Sequence, residues 1–289
     1  MKPAIPEIDS QVRQLLRYWG QQAEKMASQH FQVSEKGLGD YVTSVDQELD
    51  YQLSIGLTAL FPEDGIITEE NPHSRQGFQL GHRCLWLIDP VDGTGAFIHH
   101  RSDYSSMVGL LIDYQPVAGW IYVPAQDRMY FGAQGWGLFQ TRGNYAPESL
   151  RVIEPAPPSN YFCPVMIGLQ DQSKFGAAIA QFIPEIQFHS VSSFGLKVLD
   201  VITGRAGLYL YLNRRVKLWD TTAPIALAKA AGLVCCDLAG TPLSFTPSAV
   251  NPETLAHLQT IIIGWPRYIE ALRHRIAQAV ASCSSSHSI

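Results

Sequence analysis

The chain has 289 residues, 46% hydrophobic and 16% charged, with 21 basic against 26 acidic side chains and a formal charge of −5. That composition excludes a collagen, a coiled coil and a disordered tail protein. Without a basic excess or a Lys/Arg run, nucleic-acid binding is also disfavoured as its main work. A small anionic substrate stays open, because one local positive centre, such as a metal, overrides net charge. The five cysteines, Cys84, Cys163, Cys235, Cys236 and Cys283, show neither C-x-x-C nor zinc spacing, so reduced thiols in a cytoplasmic protein are expected. The start, MKPAIPEIDSQ, lacks the apolar run of a signal peptide, and no later run has the length of a membrane span.

Along the chain, Ile8, Val12, Leu15, Leu16, Trp19, Ala23 and Met26 recur at helical spacing and predict an amphipathic helix from Pro6 to about His30. A second helix is expected from Thr43 to Leu60, with Val45, Leu49, Leu53 and Leu57 on one face and the turn FPEDG closing it. CLWLI (84–88) reads as a buried strand stopping at Asp89-Pro90. SSMVGLLI, PVAGWIYV and RMYFGAQ then read as an antiparallel meander. The proline-rich stretch Asn144 to Asn160 is the best boundary and divides the chain into sub-domains 1–150 and 151–289.

The second half alternates. PVMIGL, Ile186 to Val191, LYLYL, LVCCDL and TIIIGW read as strands. Ser173 to Phe182, Ser193 to Thr203, Asp220 to Ala231 and Pro266 to Ala281 read as helices, and the tail SCSSSHSI as frayed. Helices and strands in layers, antiparallel first and mixed second, predict an α+β or α/β layered sandwich.

The chemistry is expected at WLIDPVDGTGAF (86–97). A strand delivers Asp89, Asp92 follows three residues later, and Gly93-Thr94 offer backbone N–H groups. Two carboxylates on one turn can hold a hard cation such as Mg²⁺, and the N–H groups can hold phosphate oxygens. D-P and D-G are also ordinary turn pairs. Three further acidic segments add to the pattern. One of Glu69 and Glu70 could point into a site. Asp40 or Thr43 could cap the second helix, with Asp46 in its first turn, and Asp220 is a natural helix N-cap.

Together these segments resemble the inositol monophosphatase family, the lithium-sensitive, Mg²⁺-dependent phosphatases. The family's D-P-[ILV]-D-G-T is matched by Asp89-Pro90-Val91-Asp92-Gly93-Thr94, and its W-D-x-A-A is similar to Trp219-Asp220-Thr221-Thr222-Ala223. Its G-E-E and D-x-V-T-x-x-D resemble Thr68-Glu69-Glu70 and Asp40 to Asp46, in the same order. The resemblance implies an αβαβα layering and a homodimer. It also implies a first Mg²⁺ on Glu69, Asp89 and the Val91 carbonyl, a second on Asp89, Asp92 and Asp220, and a weaker third near Glu69 and Asp46. Thr94, with Glu69 or Asp46, would orient the water that attacks phosphorus in line, without a phosphoenzyme. Substrate contacts are expected from Asp92, Gly93, Thr94, Gly95, Ser193, Asn213 and Asp220.

Other phosphatase chemistries fail on the residues. Pro90 stands where an aspartyl-phosphate enzyme needs its nucleophilic Asp, and there is no Cys-x5-Arg loop, G-x-G-x-x-G or P-loop pattern. Within the resemblance, Asn213 stands where inositol phosphatases carry an acid, and His189-Ser190-Val191-Ser192-Ser193 lacks the Arg and Gly of R-x-x-G-S. Asn213-Arg214-Arg215-Val216-Lys217 places three cations just before Trp219, as a solvated loop or as a wall for a second phosphate. His73, His82, His99 and His100 read as surface or loop residues. The reading is a phosphate monoester hydrolase acting on an inositol or polyol phosphate. The alternatives are a 3'(2'),5'-bisphosphate nucleotidase and, in another class, a regulatory binding protein.

Overall fold

The computed structural model describes residues 5–28, 31–37 and 40–285. Helix α1 (Ile5–Ala27) buries Ile8, Val12, Leu16 and Ala23, and α2 (Ser44–Leu60) buries Val45, Leu49, Leu53 and Leu57. These stripes are the ones the apolar spacing predicts; the expected end of the first helix near His30 lies outside the described residues. Between the helices runs an antiparallel hairpin, β1 (Val33–Gly37) and β2 (Asp40–Thr43). The sequence shows no sign of it, since VSEKG has no apolar alternation to reveal a strand. Thr43 is the N-cap of α2, accepting the N–H groups of Val45 and Asp46, while the Asp46 carboxylate accepts the Thr43 N–H in return.

Seven strands form the first sheet, in simple sequence order: β3 (Gly65–Thr68), β4 (Cys84–Asp92), β5 (Ser105–Ile112), β6 (Gln115–Val123), β7 (Arg128–Ala133), β8 (Gly137–Arg142) and β9 (Glu148–Ser149). Only the β3–β4 pair is parallel. The meander is as expected. Strands β3, β8 and β9 go beyond it, because they are short or half exposed. One expectation needs correction: Pro90 does not end the strand. β4 continues to Asp92 through a bulge between Asp89 and Asp92, and a proline is tolerated there because a bulge needs fewer ladder hydrogen bonds. The five-residue helix α3 (Thr94–Ile98) follows directly.

Helices α1 and α2 cover one face of this sheet. The second half supplies β10 (Pro164–Ile167), α4 (Leu169–Phe182), β11 (Gln187–His189), α5 (Phe194–Ile202), β12 (Leu208–Tyr211), α6 (Leu218–Ala230), β13 (Val234–Cys236), β14 (Ile261–Gly264) and α7 (Pro266–Ser285). Its five strands take the order β11-β10-β12-β14-β13, with parallel and antiparallel neighbours mixed. Helix α6 lies on the other face of the first sheet, α5 joins α6 to the second sheet, and α4 pairs with α7. The result is the layered α/β sandwich that the element pattern predicts.

The contact between α6 and the first sheet depends on glycine. Gly109 and Gly119 are register partners in β5 and β6, and a Cβ on either would come within 2.6 Å of the Ala223 backbone. Bare backbone lets the helix sit directly on the strands, fixing the position of its first turn. Expected helix 220–231 starts two residues early, at Leu218. Asp220 is therefore not the N-cap: Lys217 holds that position and Asp220 is three residues inside, its carboxylate accepting the Lys217 N–H at 2.7 Å. Gly232, at φ 83, follows the helix end as expected. Of the tail, residues 286–289 lie outside the described residues, and 282–285 belong to α7.

Candidate active site

The bulge in β4 creates the centre of the site. In a regular strand, residues three apart point to opposite faces. One extra residue between Asp89 and Asp92 resets that alternation, so both carboxylates reach the same side of the sheet. Asp220 arrives from the first turn of α6, and ligand oxygens of Asp89, Asp92 and Asp220 all lie within 4.8 Å of one another. Glu69 follows β3, where its N–H donates to the Ile88 carbonyl at 3.2 Å and places it beside Asp89. The buried Asp50 holds this turn, accepting from the Thr68 hydroxyl at 2.8 Å and the Glu70 N–H at 3.1 Å. Of the two adjacent glutamates, Glu69 lines the cleft.

Both oxygens of Asp89 are buried with no hydrogen-bond partner among the described residues, and the residue is 0% exposed. Such an anion is costly in the interior unless a cation compensates it. Burial, then the charges of Glu69, Asp92, Asp220 and Asp46, push its carboxyl well above the usual range. Asp220 is raised to about 7, mainly by burial, with the Lys217 charge opposing. Asp46 is raised to about 6 by burial, against its bonds to Thr43. Oxygen donors in this number and hardness suit a divalent cation such as Mg²⁺, and the orphaned oxygens of Asp89 show where one fits.

Asp92 is compensated differently. Its carboxylate accepts the N–H groups of Phe194 at 2.9 Å and Gly195 at 2.8 Å and the Ser193 hydroxyl, all at the start of α5. Burial still raises its pKa, but these bonds oppose the shift. The Thr94 hydroxyl lies 3.2 Å from the Asp46 carboxylate and 3.1 Å from the Val91 carbonyl. Gly93, at φ 97, makes the left-handed turn that opens α3, and a Cβ there would crowd Ser192 at 3.2 Å.

These groups line a cleft of about 300 Å³ that contains Glu69, Asp89, Val91, Asp92, Gly93, Thr94 and Asp220 together. Asp46 stands just behind it through Thr94. Three expected substrate contacts fall elsewhere. Ser193 is 0% exposed, its hydroxyl engaged with Asp92 and the Leu196 N–H, so the neighbouring Ser192 lines the cleft instead. Asn213 faces an adjoining cavity, and Gly95 lies one residue past the cleft wall. Arg215 and Lys217 of the basic loop do line the cleft, whereas Arg214 does not.

Residues not foreseen are Gln170, Lys197, Tyr209 and Tyr211 on the wall, and Arg75. The Lys197 ammonium is buried, donates to the Ser192 carbonyl at 2.8 Å, and is lowered to about 8 by desolvation. Arg75 lies over the Trp219 ring and donates to the Glu69 carbonyl at 3.3 Å, joining the segments that carry Glu69 and Asp220. A lone Lys within an apolar helix stretch was the available signal for Lys197; nothing in the sequence marks Arg75. His73, His99 and His100 are exposed and His82 is half-buried, as expected for surface positions.

A model of the inositol monophosphatase family matches residues 6–281. The chain belongs to this family. It is 31% identical over 214 residues to a 3'(2'),5'-bisphosphate nucleotidase of Aggregatibacter actinomycetemcomitans, covering 73% of this chain and 78% of that one. It is 26% identical over 246 residues to the inositol-1-monophosphatase of Bacillus subtilis, covering 83% and 88%. The fold is shared with an IMPase/NADP phosphatase solved in complex with Mg²⁺ and phosphate, at a TM-score of 0.77 and 19% identity over 94% of this chain and 95% of that one. Family membership makes this inositol-monophosphatase-family chain an enzyme, a phosphomonoesterase. Among the described residues no helix is long and apolar enough to cross a membrane.

Proposed function

We propose that the enzyme hydrolyses phosphate monoesters with Mg²⁺ held by Glu69, Asp89, the Val91 carbonyl, Asp92 and Asp220. The observation that supports this most is the pair of partnerless, fully buried oxygens on Asp89 amid three other cleft acids. When bound, Mg²⁺ supplies charge neutralisation and a Lewis acid that acidifies water and offsets charge on the leaving alcohol.

The chain's own residues do the remainder. Thr94 and Asp46 orient the attacking water: the threonine hydroxyl sits at the cleft wall, and the carboxylate behind it, at about 6, receives the proton. The Gly93 and Thr94 N–H groups face the phosphoryl oxygens. Phe194, Gly195 and Ser193 oppose the burial that raises the Asp92 pKa and fix its carboxylate in position.

For the substrate, the cleft favours a bisphosphorylated nucleotide or sugar over inositol phosphate. Arg215 and Lys217 stand on the same wall as the acids, whereas Asn213, in the place of the inositol-binding acid, faces the adjoining cavity. A guanidinium and an ammonium suit a second phosphate better than a ring of hydroxyls. The likeness to the nucleotidase above supports the same reading. Turnover of adenosine 3',5'-bisphosphate should exceed that of inositol-1-phosphate at equal Mg²⁺; the reverse order returns the substrate to the polyol phosphates.

The family resemblance supports further parts of the proposal: two or three ions per site, inhibition by lithium and a homodimer; the free cysteines support a cytoplasmic location. Residues 1–150 and 151–289 are proposed as its two sub-domains, with Asp220 the one metal ligand from the second.

A further inference from the structure

A cavity of about 330 Å³ lies against the flank of α5 opposite the metal cleft. Phe194 and Lys197 of α5 face the cleft, whereas Leu196, Leu199 and Asp200 face this second cavity. Its other wall comes from the first sheet and the segment after it, including Arg128 and Arg151.

Charge in this region is unbalanced. Each nearby acid already has a partner. Asp200 pairs with Arg205 at 3.0 Å, and Asp103 pairs with Arg101 at 3.3 Å and accepts the Ser192 N–H at 2.7 Å. Asp127 accepts from the Tyr122 hydroxyl and pairs with Arg17, and Glu148 accepts from Gln140 at 2.9 Å. Arg128 and Arg151 have no carboxylate partner among the described residues. Arg142, the register partner of Arg128 across β7 and β8, has none either. Like charges directly opposite each other on a sheet repel, so an anion in the cavity against the Arg128 guanidinium relieves it. The Arg128 guanidinium donates to the Tyr130 hydroxyl at 3.4 Å, which turns it along the cavity wall, and Gln126 and Gln140 add amide groups suited to hydroxyls.

We propose that this cavity is a second anion site, separate from the catalytic cleft, for a small metabolite carrying one phosphate and several hydroxyls, up to the size of a sugar phosphate. The occupant is coupled to catalysis through α5. Asp103, on the wall of the second cavity, accepts the Ser192 N–H with its carboxylate and the Ser193 N–H with its carbonyl at 3.2 Å. The next residues, Ser193 to Gly195, hold Asp92. An anion joining the sheet arginines to the flank of α5 braces the helix start that grips Asp92. The apparent activation constant for Mg²⁺ therefore falls about three- to tenfold with the site filled, and Mg²⁺ tightens the anion by the same factor.

The test is titration calorimetry of inorganic phosphate into the full chain in EDTA. Without metal, the acids of the catalytic cleft disfavour phosphate there, and Arg215→Gln/Lys217→Gln, which removes the basic wall of that cleft, is expected to leave the measured binding unchanged; its loss in that variant overturns the proposal. Saturable binding in the wild type and in Asp89→Asn, weakened at least about tenfold in Arg128→Gln/Arg151→Gln, is the expected result; that scale reflects two lost charge-assisted contacts. The double variant keeps its basal turnover at saturating Mg²⁺. Should it fail to fold, Arg151→Gln alone, at an exposed position, is expected to weaken binding about threefold. Absent binding in the wild type, or equal binding in the arginine variants, overturns the proposal. So does a changed sedimentation coefficient with unchanged phosphate affinity, which would make the surface a contact between copies.

Discussion

The two halves of the sandwich contribute unlike things to one cleft. The seven-stranded half brings nearly all the negative charge, Asp46, Glu69, Asp89 and Asp92, on one strand, the turn beside it and the helix packed above. The five-stranded half brings a single acid, Asp220, and most of what tempers the others: the N–H groups of Phe194 and Gly195, the Ser193 hydroxyl, buried Lys197 and Lys217. Neither half alone makes a workable site. The first is an unneutralised anion cluster and the second a set of donors without an object. Catalysis therefore depends on the seam, and the seam depends on α6 lying against Gly109 and Gly119.

The sharpest way to break this division is at its acidic pole. Asp89→Asn should reduce Mg²⁺-dependent turnover by about 1,000-fold or more, the scale of losing a central electrostatic group. The same variant should melt no lower than the wild type in EDTA, because it removes repulsion. A lower melting temperature in EDTA would show that Asp89 is a structural anion with a hidden partner.

At the opposite pole, Ser193→Ala leaves every metal ligand in place but loosens Asp92. Turnover at limiting Mg²⁺ should fall about 10- to 100-fold, with more Mg²⁺ needed for half-maximal activity, as for groups that orient metal ligands. Across the seam, Gly119→Ala drives a methyl into the Ala223 backbone at 2.4 Å. A destabilisation of about 1–3 kcal/mol in urea unfolding is expected, the usual cost of overpacking.

The pH dependence follows from the same asymmetry. Asp46 and Asp220 have folded pKa values of about 6 and about 7, above their ordinary value of 3.8. Below about pH 4 both are protonated folded or unfolded, so no cost arises. As pH rises from 4 to 7 the unfolded carboxyls lose protons that the folded ones retain, and the metal-free protein loses stability. In the proposed site protons and Mg²⁺ compete for these oxygens, so the rise in melting temperature on adding Mg²⁺ should grow from pH 5 to pH 8. A constant rise would contradict the assignment. The smallest effect is expected from Arg215→Gln/Lys217→Gln, a KM increase of about tenfold for the bisphosphate with kcat little changed.

Much of this was legible in the sequence because the acids sit in short contiguous motifs. Asp89 to Thr94 could be read as a ligand turn, and Trp219-Asp220 as a helix start carrying an acid. The helices α1 and α2 were legible from their apolar stripes. What escaped came from register and packing. The bulge that turns Asp89 and Asp92 to one side is a pairing irregularity, and Pro90 made it look like the end of a strand. Lys217 rather than Asp220 caps α6 because packing on two glycines, not local capping preference, sets where the helix begins. Ser193 looked like a substrate contact because nothing local shows that Asp92, 101 residues away, takes its hydroxyl. Lys197 and Arg75 escaped because their rings, Tyr209 and Trp219, reach them only in the folded chain, which spacing does not reveal.

The central claim is that Asp89, Asp92 and Asp220, drawn from both halves, share a divalent cation. Anomalous diffraction from a crystal soaked in Mn²⁺, a stand-in for Mg²⁺ with measurable signal, tests it directly. A peak bridged by Asp89 and flanked by Asp92 and Asp220 is the predicted result. A map with no peak among these three carboxylates, or with Asp89 buried away from any ion, would contradict it.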